Sequence, residues 1–251
     1  MHPAVARATV ARVLRQLGHD HRSVGLVLGI PVLLLTLLYY MFVDVPVPPG
    51  QPSTFDRVGL IMLGIFPFVV MFLIPSIAMQ RERASGTLER LMTTPMGKGD
   101  LLGGYGIAFS LVATLQAALG CAVAYLVFGL ETEGSVLLVV LVAVLNAVLG
   151  VALGLLASAF ARTEFQAVQF FPLIALPQIL LCGLFVPRDQ MAGWLEAVSN
   201  VLPMTYAVEA LQDVGANAEP TGTFWRDVAV VAGCVVAAVA LAATTLRRRT
   251  P

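Results

Sequence analysis

Few residues in this 251-residue chain are of types that could do chemistry, and their spacing limits what they can do. In "HDH", His19 and His21 flank Asp20, but no third metal ligand lies nearby, and a structural zinc site needs about four. Cys121, Cys182 and Cys234 lie inside or at the end of apolar stretches, odd in number and without metal-ligand spacing. They read as packing residues rather than as a disulfide framework or a zinc site. The chain contains no G-x-x-x-x-G-K-[ST], no H-E-x-x-H and no G-x-S-x-G. It also lacks the paired carboxylates, His clusters or Ser–His set that hydrolysis at membrane depth needs. No catalytic residue and no metal ligand is therefore assigned. What remains is one dense run of charge, "RERASGTLERLMTTP" at residues 81–95, set between two long apolar stretches. Its residue types suit docking rather than bond making.

The elements that must position this insert follow from composition. The chain is 58% hydrophobic and 12% charged, with a mean hydropathy of +0.87, far from the composition of a water-soluble globule. Five blocks carry no Asp, Glu, Lys, Arg or His: Val24–Val43, Val58–Met79, Tyr105–Leu130, Ser135–Ala161 and Phe165–Val186. A sixth, Val228–Leu246 within a span of about 225–246, follows Trp225 and ends at the basic triplet Arg247, Arg248 and Arg249. Each is near or above the roughly 20 residues that a helix needs to cross about 30 Å of hydrocarbon. No run of short alternating strands suggests a barrel. The expected fold is an all-α integral membrane protein, a single transmembrane domain over residues 1–251 with six spans. Only Gln116, Asn146, Gln166, Gln169 and Gln178, besides hydroxyls, are polar within the spans. Ion-coupled carriers and channels usually keep an ionisable residue or a charged ring at depth, so movement of a solute here would draw its energy from elsewhere.

Basic residues orient the spans. With the N-terminus cytoplasmic, that face collects 12 of the 15 basic residues and five of the 15 acidic ones, giving +7 inside and −7 outside within a net charge of zero. Both termini are then cytoplasmic, and the basic residues are those that topology demands, with no nucleic-acid role. The first apolar run is too long for a cleavable signal. Ahead of it, in residues 1–23, Val10, Val13, Leu14 and Leu17 share one helical face. This predicts an amphipathic helix in the membrane interface, with a disordered basic tail as the alternative.

Two segments stand apart from the spans. In the insert, Gly86 can open a helix with Glu89 three residues on, and Leu88, Leu91 and Met92 share a face until Pro95 stops it. A helix of about two turns is marginal alone in water, so it is held by the span ends or by a partner, or else it is a solvated cap. On the outer side, residues 187–215 hold two amphipathic sets, Met191, Trp194, Leu195, Val198 and Ala207, Ala210, Leu211, Val214, with Pro203 between them. Neither run is long enough to span. They read as a re-entrant hairpin or as a membrane-surface cap.

These two segments also carry a resemblance. "RERASGTLERLMTTPMGKGDLLGGY" resembles the cytoplasmic signature of type-2 ABC transporter permeases, roughly E-R-x-x-G-T-L-E-x-L-x-x-T-P followed by a Leu-rich, Gly-containing start of the next span. "PLIALPQILLCGLFVPRDQMAGWLEAVSNVLPMTYAVEAL", residues 172–211, is similar to the second signature, with G-x-F-x-P and then L-P-x-T-Y. "GKGDLL" departs from the Ser-Arg pair more usual after the Thr-Pro. The resemblance implies the membrane subunit of an ATP-driven exporter, with a coupling helix in residues 81–100 that seats in a separate ATPase subunit. Glu82, Arg83, Gly86, Thr87, Leu88, Glu89 and Arg90 would form the coupling surface, with Leu91, Met92 and Pro95 anchoring it. The chain itself would bind no cofactor, ATP and Mg belonging to the partner. A second permease copy, identical or paralogous, would pair with it in the lipid of the cell membrane.

On the same resemblance the path would run between the two copies. Spans two and five would line it with Phe66, Phe68, Phe72, Phe170 and Phe171, with the polar Asn146 of span four and Gln178 of span five also on the path, each competing with plain helix packing. Gly183, Phe185, Pro187, Pro203 and Tyr206 would close its outer end. The apolar lining favours a drug, antibiotic or lipid as cargo, with a polysaccharide or glycolipid as the alternative. A self-contained carrier or channel, or a non-transporting assembly subunit, are the other readings.

Overall fold

The computed structural model describes residues 3–48, 50–84 and 98–245. Among these residues are nine α-helices and no strand: α1 (Pro3–His19), α2 (His21–Phe42), α3 (Thr54–Ala84), α4 (Lys98–Leu126), α5 (Val136–Ser158), α6 (Glu164–Leu181), α7 (Gly193–Ser199), α8 (Pro203–Ala216) and α9 (Gly222–Thr245), with a 3-10 turn at Arg188–Gln190. Six helices, α2 to α6 and α9, are long and apolar enough to cross a membrane. The fold is that of an all-α integral membrane protein.

Local chemistry sets the helix ends. The Asp20 carboxylate accepts from the Ser23 hydroxyl at 2.6 Å and from its N–H at 3.2 Å, capping α2. The same bonds hold the Asp20 carboxyl below its usual range. His19 Nδ1 meets Arg15 O at 2.7 Å, so His19 and Asp20 serve the α1–α2 junction. Ahead of α3, Ser53 Oγ accepts from Asp56 N and Asp56 Oδ2 accepts from Ser53 N, a reciprocal cap. The apolar block 165–186 does not stay helical to its end. α6 stops at Leu181 and Gly183 takes φ +93°, a conformation that a side chain resists, which turns the chain out of the span.

The helices alternate in direction, and side-chain bonds mark the two ends of the bundle. At the end that carries α1, Arg12 meets Glu82 and Arg81 meets Glu164; we call this the proximal end. At the distal end Asp56 Oδ1 accepts from Glu131 N, and Glu133 N donates to Gly215 O.

α3 is the centre of the bundle. Buried residues make up 72% of its apolar window, against 17% each for α2, α6 and α9. α5 crosses it very closely. A Cβ on Gly150 would sit 2.5 Å from Phe68 O, and one on Gly154 would sit 2.2 Å from Phe72 O. Two glycines one turn apart therefore let backbone meet backbone, the small-residue packing that membrane helices use in place of a hydrophobic drive. The peripheral helices present large apolar side chains outward, such as Leu33 and Leu37 of α2, Leu173 and Leu180 of α6, and Val236 and Leu241 of α9. Such an outer surface needs lipid or protein against it.

Prolines sit inside three of these helices: Pro31 in α2, Pro67 and Pro75 in α3, Pro172 and Pro177 in α6. A proline removes one backbone donor and opens the turn before it. At membrane depth the freed carbonyls need a partner from protein. Gln116 Nε2 of α4 donates to Val27 O at 2.7 Å, the carbonyl four residues before Pro31. Asn146 Nδ2 of α5 donates to Gly64 O at 3.0 Å, three residues before Pro67.

Candidate coupling face, transport path and distal gate

At the proximal end, three elements converge on the foot of the charged insert. Glu82 lies in the last turn of α3, and its side chain is only 10% exposed. Burying a carboxylate is costly unless it is paired and hydrogen-bonded. Glu82 Oε1 accepts from Arg12 Nη2 of α1 at 3.2 Å and from the Tyr105 hydroxyl of α4 at 2.7 Å. Arg12 also donates to Tyr105 OH at 2.8 Å, and its guanidinium lies over the Tyr105 ring. Charge-assisted bonds in a partly dry site are among the strong ones. By contrast Arg81–Glu164, at 2.9 Å with both side chains about half exposed or more, is a surface pair worth little. α1 is pressed onto α4 by Val13, and Thr9 Cγ2 would meet a Cβ on Gly104 at 2.6 Å.

Of the sequence-predicted coupling residues, Glu82 and Arg83 stand in the last turn of α3. Gly86, Thr87, Leu88, Glu89, Arg90, Leu91, Met92 and Pro95 lie outside the described residues. The sequence reading did not find Arg12 or Tyr105 as partners of Glu82. They are 70 and 23 residues away from it, and no periodicity connects them. Beside this cluster a cavity of about 900 Å³ opens between α1, α3 and α4, lined by the apolar Leu17, Ile77 and Phe109 and the polar Gln16, Ser23 and Glu82.

The predicted path residues divide in two. Phe68 and Phe72 are 0% exposed, packed in the α3–α5 interior, with Phe72 edge-on to Phe171 at 5.9 Å. Asn146 is likewise 0% exposed and is committed to Gly64 O. Within the single chain these three side chains face its own core, where the Gly150–Gly154 crossing brings α5 against α3. Gln178 is 2% exposed and is also a structural amide. Its Nε2 donates to Ile174 O at 3.1 Å, and its Oε1 accepts from Met204 N at 3.4 Å. Phe66, Phe170 and Phe171 are partly exposed. The side chains that α6 offers outward are chiefly Phe165, Leu173, Leu176 and Leu180.

The distal segment forms the two short helices that the sequence predicts, but they differ in role. α8, opened by Pro203 at its first position, buries Ala207, Ala210, Leu211 and Val214 completely against α3 and α9. It is part of the core. α7 leaves Trp194 69% and Val198 42% exposed, and Phe185 and Val201 beside it are exposed too. Arg188 holds the segment together. Its Nε donates to Ser199 Oγ at 3.0 Å, Nη1 pairs with Glu209, and Nη2 donates to Asn200 Oδ1. The Tyr206 hydroxyl donates to Asn200 O at 2.7 Å, and Thr205 Oγ1 to Ser199 O at 2.9 Å. Of the predicted gate residues, Gly183, Pro203 and Tyr206 are half-buried, and Phe185 and Pro187 are exposed. Gly183, Phe185, Pro187, Arg188 and Glu209 help to line a distal cavity of about 670 Å³. Arg188 was legible in the sequence only as an outside charge, since its acceptors come from the end of α7 and from α8.

Comparison with known proteins agrees with this architecture. The family described as ABC-2 type transporter matches residues 6–214. The chain is 26% identical over 171 residues to ABC transporter G family member 20 of Dictyostelium discoideum, covering 67% of this chain and 23% of that one. It is 29% identical over 147 residues to the probable multidrug ABC transporter permease YbhS of Escherichia coli strain K12, covering 58% of this chain and 39% of the relative. With the linearmycin resistance permease protein LnrN of Bacillus subtilis strain 168 it shares 23% over 159 residues, 63% of this chain and 40% of the other. Each match takes in less than half of the relative's length. With six apolar helices, a charged insert after the second of them and a matched region that takes in the first five helices and the insert, the chain belongs to the ABC-2 type transporter family.

Proposed function

We propose that this chain is the permease subunit of an ATP-driven exporter, coupled through residues 81–100 to a separate ATPase subunit that carries ATP and Mg. The observation that carries the reading is the root of the insert. It leaves the bundle from α3, the most buried helix, at a carboxylate tied to both α1 and α4. Force applied there reaches the centre of the bundle rather than a loose loop. The family match supports the same reading, as does the name of YbhS, a probable multidrug ABC transporter permease.

The proximal face is cytoplasmic on this reading, as the placement of basic residues requires, and the chain lies in the cell membrane with both termini inside. A second copy, or a paralogue, covers the apolar outer faces of α2 and α6. The cargo is an amphipathic molecule such as a drug, an antibiotic or a lipid. Both cavities pair apolar walls with a few charged groups, the lining such a molecule needs. Co-expression with a P-loop ATPase and joint purification tests the proposal. Glu89→Ala with Arg90→Ala is expected to abolish ATP-dependent export from inverted vesicles while the chain still folds. Full export by that variant, or a chain that captures no ATPase, would sink it.

A further inference from the structure

We propose that Gln178 is a positioning residue that holds the distal gate shut by joining the Pro177 kink of α6 to the first turn of α8. The proposal rests on reading the distal segment as a gate. Pro177 lacks an N–H and opens the turn before it. Ile174 O lies on that turn and receives the Gln178 amide at 3.1 Å. At the other end Met204 N–H belongs to the first turn of α8, where a helix offers it no acceptor of its own. Leu202, the cap residue, provides no side-chain bond. Gln178 Oε1 accepts that N–H at 3.4 Å.

Gln178 differs here from the other two amides. Gln116 and Asn146 each donate to a carbonyl beside a proline, and Gln116 Oε1 and Asn146 Oδ1 are buried without a hydrogen-bond partner among the described residues. Gln178 alone of the three uses both ends of its amide, and it does so across the base of the distal segment. Everything from Gly183 to Pro203, including α7 and the Arg188 cluster, hangs between the two points that it joins. The bend of α6 and the position of the start of α8 are therefore one variable, and the positive-φ turn at Gly183 is the place where the chain can swing when the amide lets go.

Cys182 provides the test. It lies four residues after Gln178, is 1% exposed and borders the distal cavity. The purified chain in lipid nanodiscs, with both faces open to water, is labelled with a polar maleimide. Gln178→Met keeps the length of the side chain and removes both bonds, so Cys182 should label about tenfold faster, the shift expected from losing one to two buried hydrogen bonds in a local opening. Cys121, buried elsewhere in the core, should keep its rate. Gln178→Glu, as the neutral acid at low pH, keeps an acceptor for Met204 N–H and an O–H donor for Ile174 O, and there should label Cys182 at the wild-type rate. Wild-type labelling of Cys182 in Gln178→Met overturns the proposal, as does an equal acceleration of Cys121 or a Gln178→Glu variant as fast at low pH as Gln178→Met. If Gln178→Met does not accumulate, hydrogen exchange at the Met204 amide of the wild-type chain decides, protection supporting the proposal and free exchange overturning it. No ATPase is needed, so the exporter reading can fail while this result stands, and the reverse.

Discussion

The side-chain amide of Gln116 donates, over 2.7 Å, to the backbone carbonyl of Val27, the group that Pro31 leaves without its helical donor. Two spans are thereby joined at a point where neither could satisfy itself. In water such a carbonyl would find solvent, but between α2 and α4 it is met by this amide.

Gln116→Leu should therefore lower stability by about 1–2 kcal/mol, the cost of leaving a buried acceptor unpaired. Denaturant titration in mixed micelles measures it. Pro31→Ala returns an N–H to α2, so the same substitution in that background should cost about 1 kcal/mol less. Equal costs in the two backgrounds would mean that Gln116 only fills space.

Arg12→Ala should be worse than Tyr105→Phe. The first removes the Arg12 guanidinium from the Glu82 carboxylate, 10% exposed, and should cost about 3 kcal/mol. The second removes one hydroxyl and should cost about 1 kcal/mol. Because the three groups share one network, the double variant should cost less than the two losses added together. Thermal unfolding of the purified chain reads all three values.

Gly154→Ala should disrupt the α3–α5 crossing, since its Cβ would fall 2.2 Å from Phe72 O and backbone cannot rotate away. A loss of at least about 2 kcal/mol is expected. Gly233→Ala in α9 meets nothing within 4 Å and should instead stabilise by about 0.5–1 kcal/mol through helix propensity. Similar melting temperatures for the two variants would contradict this close approach.

Arg188→Lys should fail almost as fully as Arg188→Ala. Ser199, Glu209 and Asn200 are held by three different nitrogens of one planar fork, which an ammonium on a flexible stem does not reproduce. Limited proteolysis within residues 187–203 should speed up in both variants, and wild-type resistance in Arg188→Lys would show that a single positive charge suffices.

Particular residues show how far sequence alone could reach. Uninterrupted apolar blocks announce the spans, because a helix that crosses hydrocarbon must be apolar along its whole length. The two short helices around Pro203 were legible from spacing at i, i+3 and i+4. Their different fates were not. α8 and α7 carry similar apolar stripes, yet the stripe of α8 is buried and that of α7 is largely exposed. Phe68, Phe72, Asn146 and Gln178, buried within the single chain, show the same limit. A polar or aromatic residue in a span looks like a lining group until the neighbouring helix is known.

The amino-acid sequence by itself determined the class of the molecule, its six spans and the charged insert after the second, because those depend on composition and length. Tertiary structure alone decided which faces are inside, that Glu82 meets Arg12 and Tyr105, and that three amides serve three proline turns. The physical reason is the solvent. Lipid is as apolar as leucine, so hydrophobicity does not tell a lipid-facing side chain from a packed one. Close glycines and hydrogen bonds between distant residues make that choice only once the helices have come together.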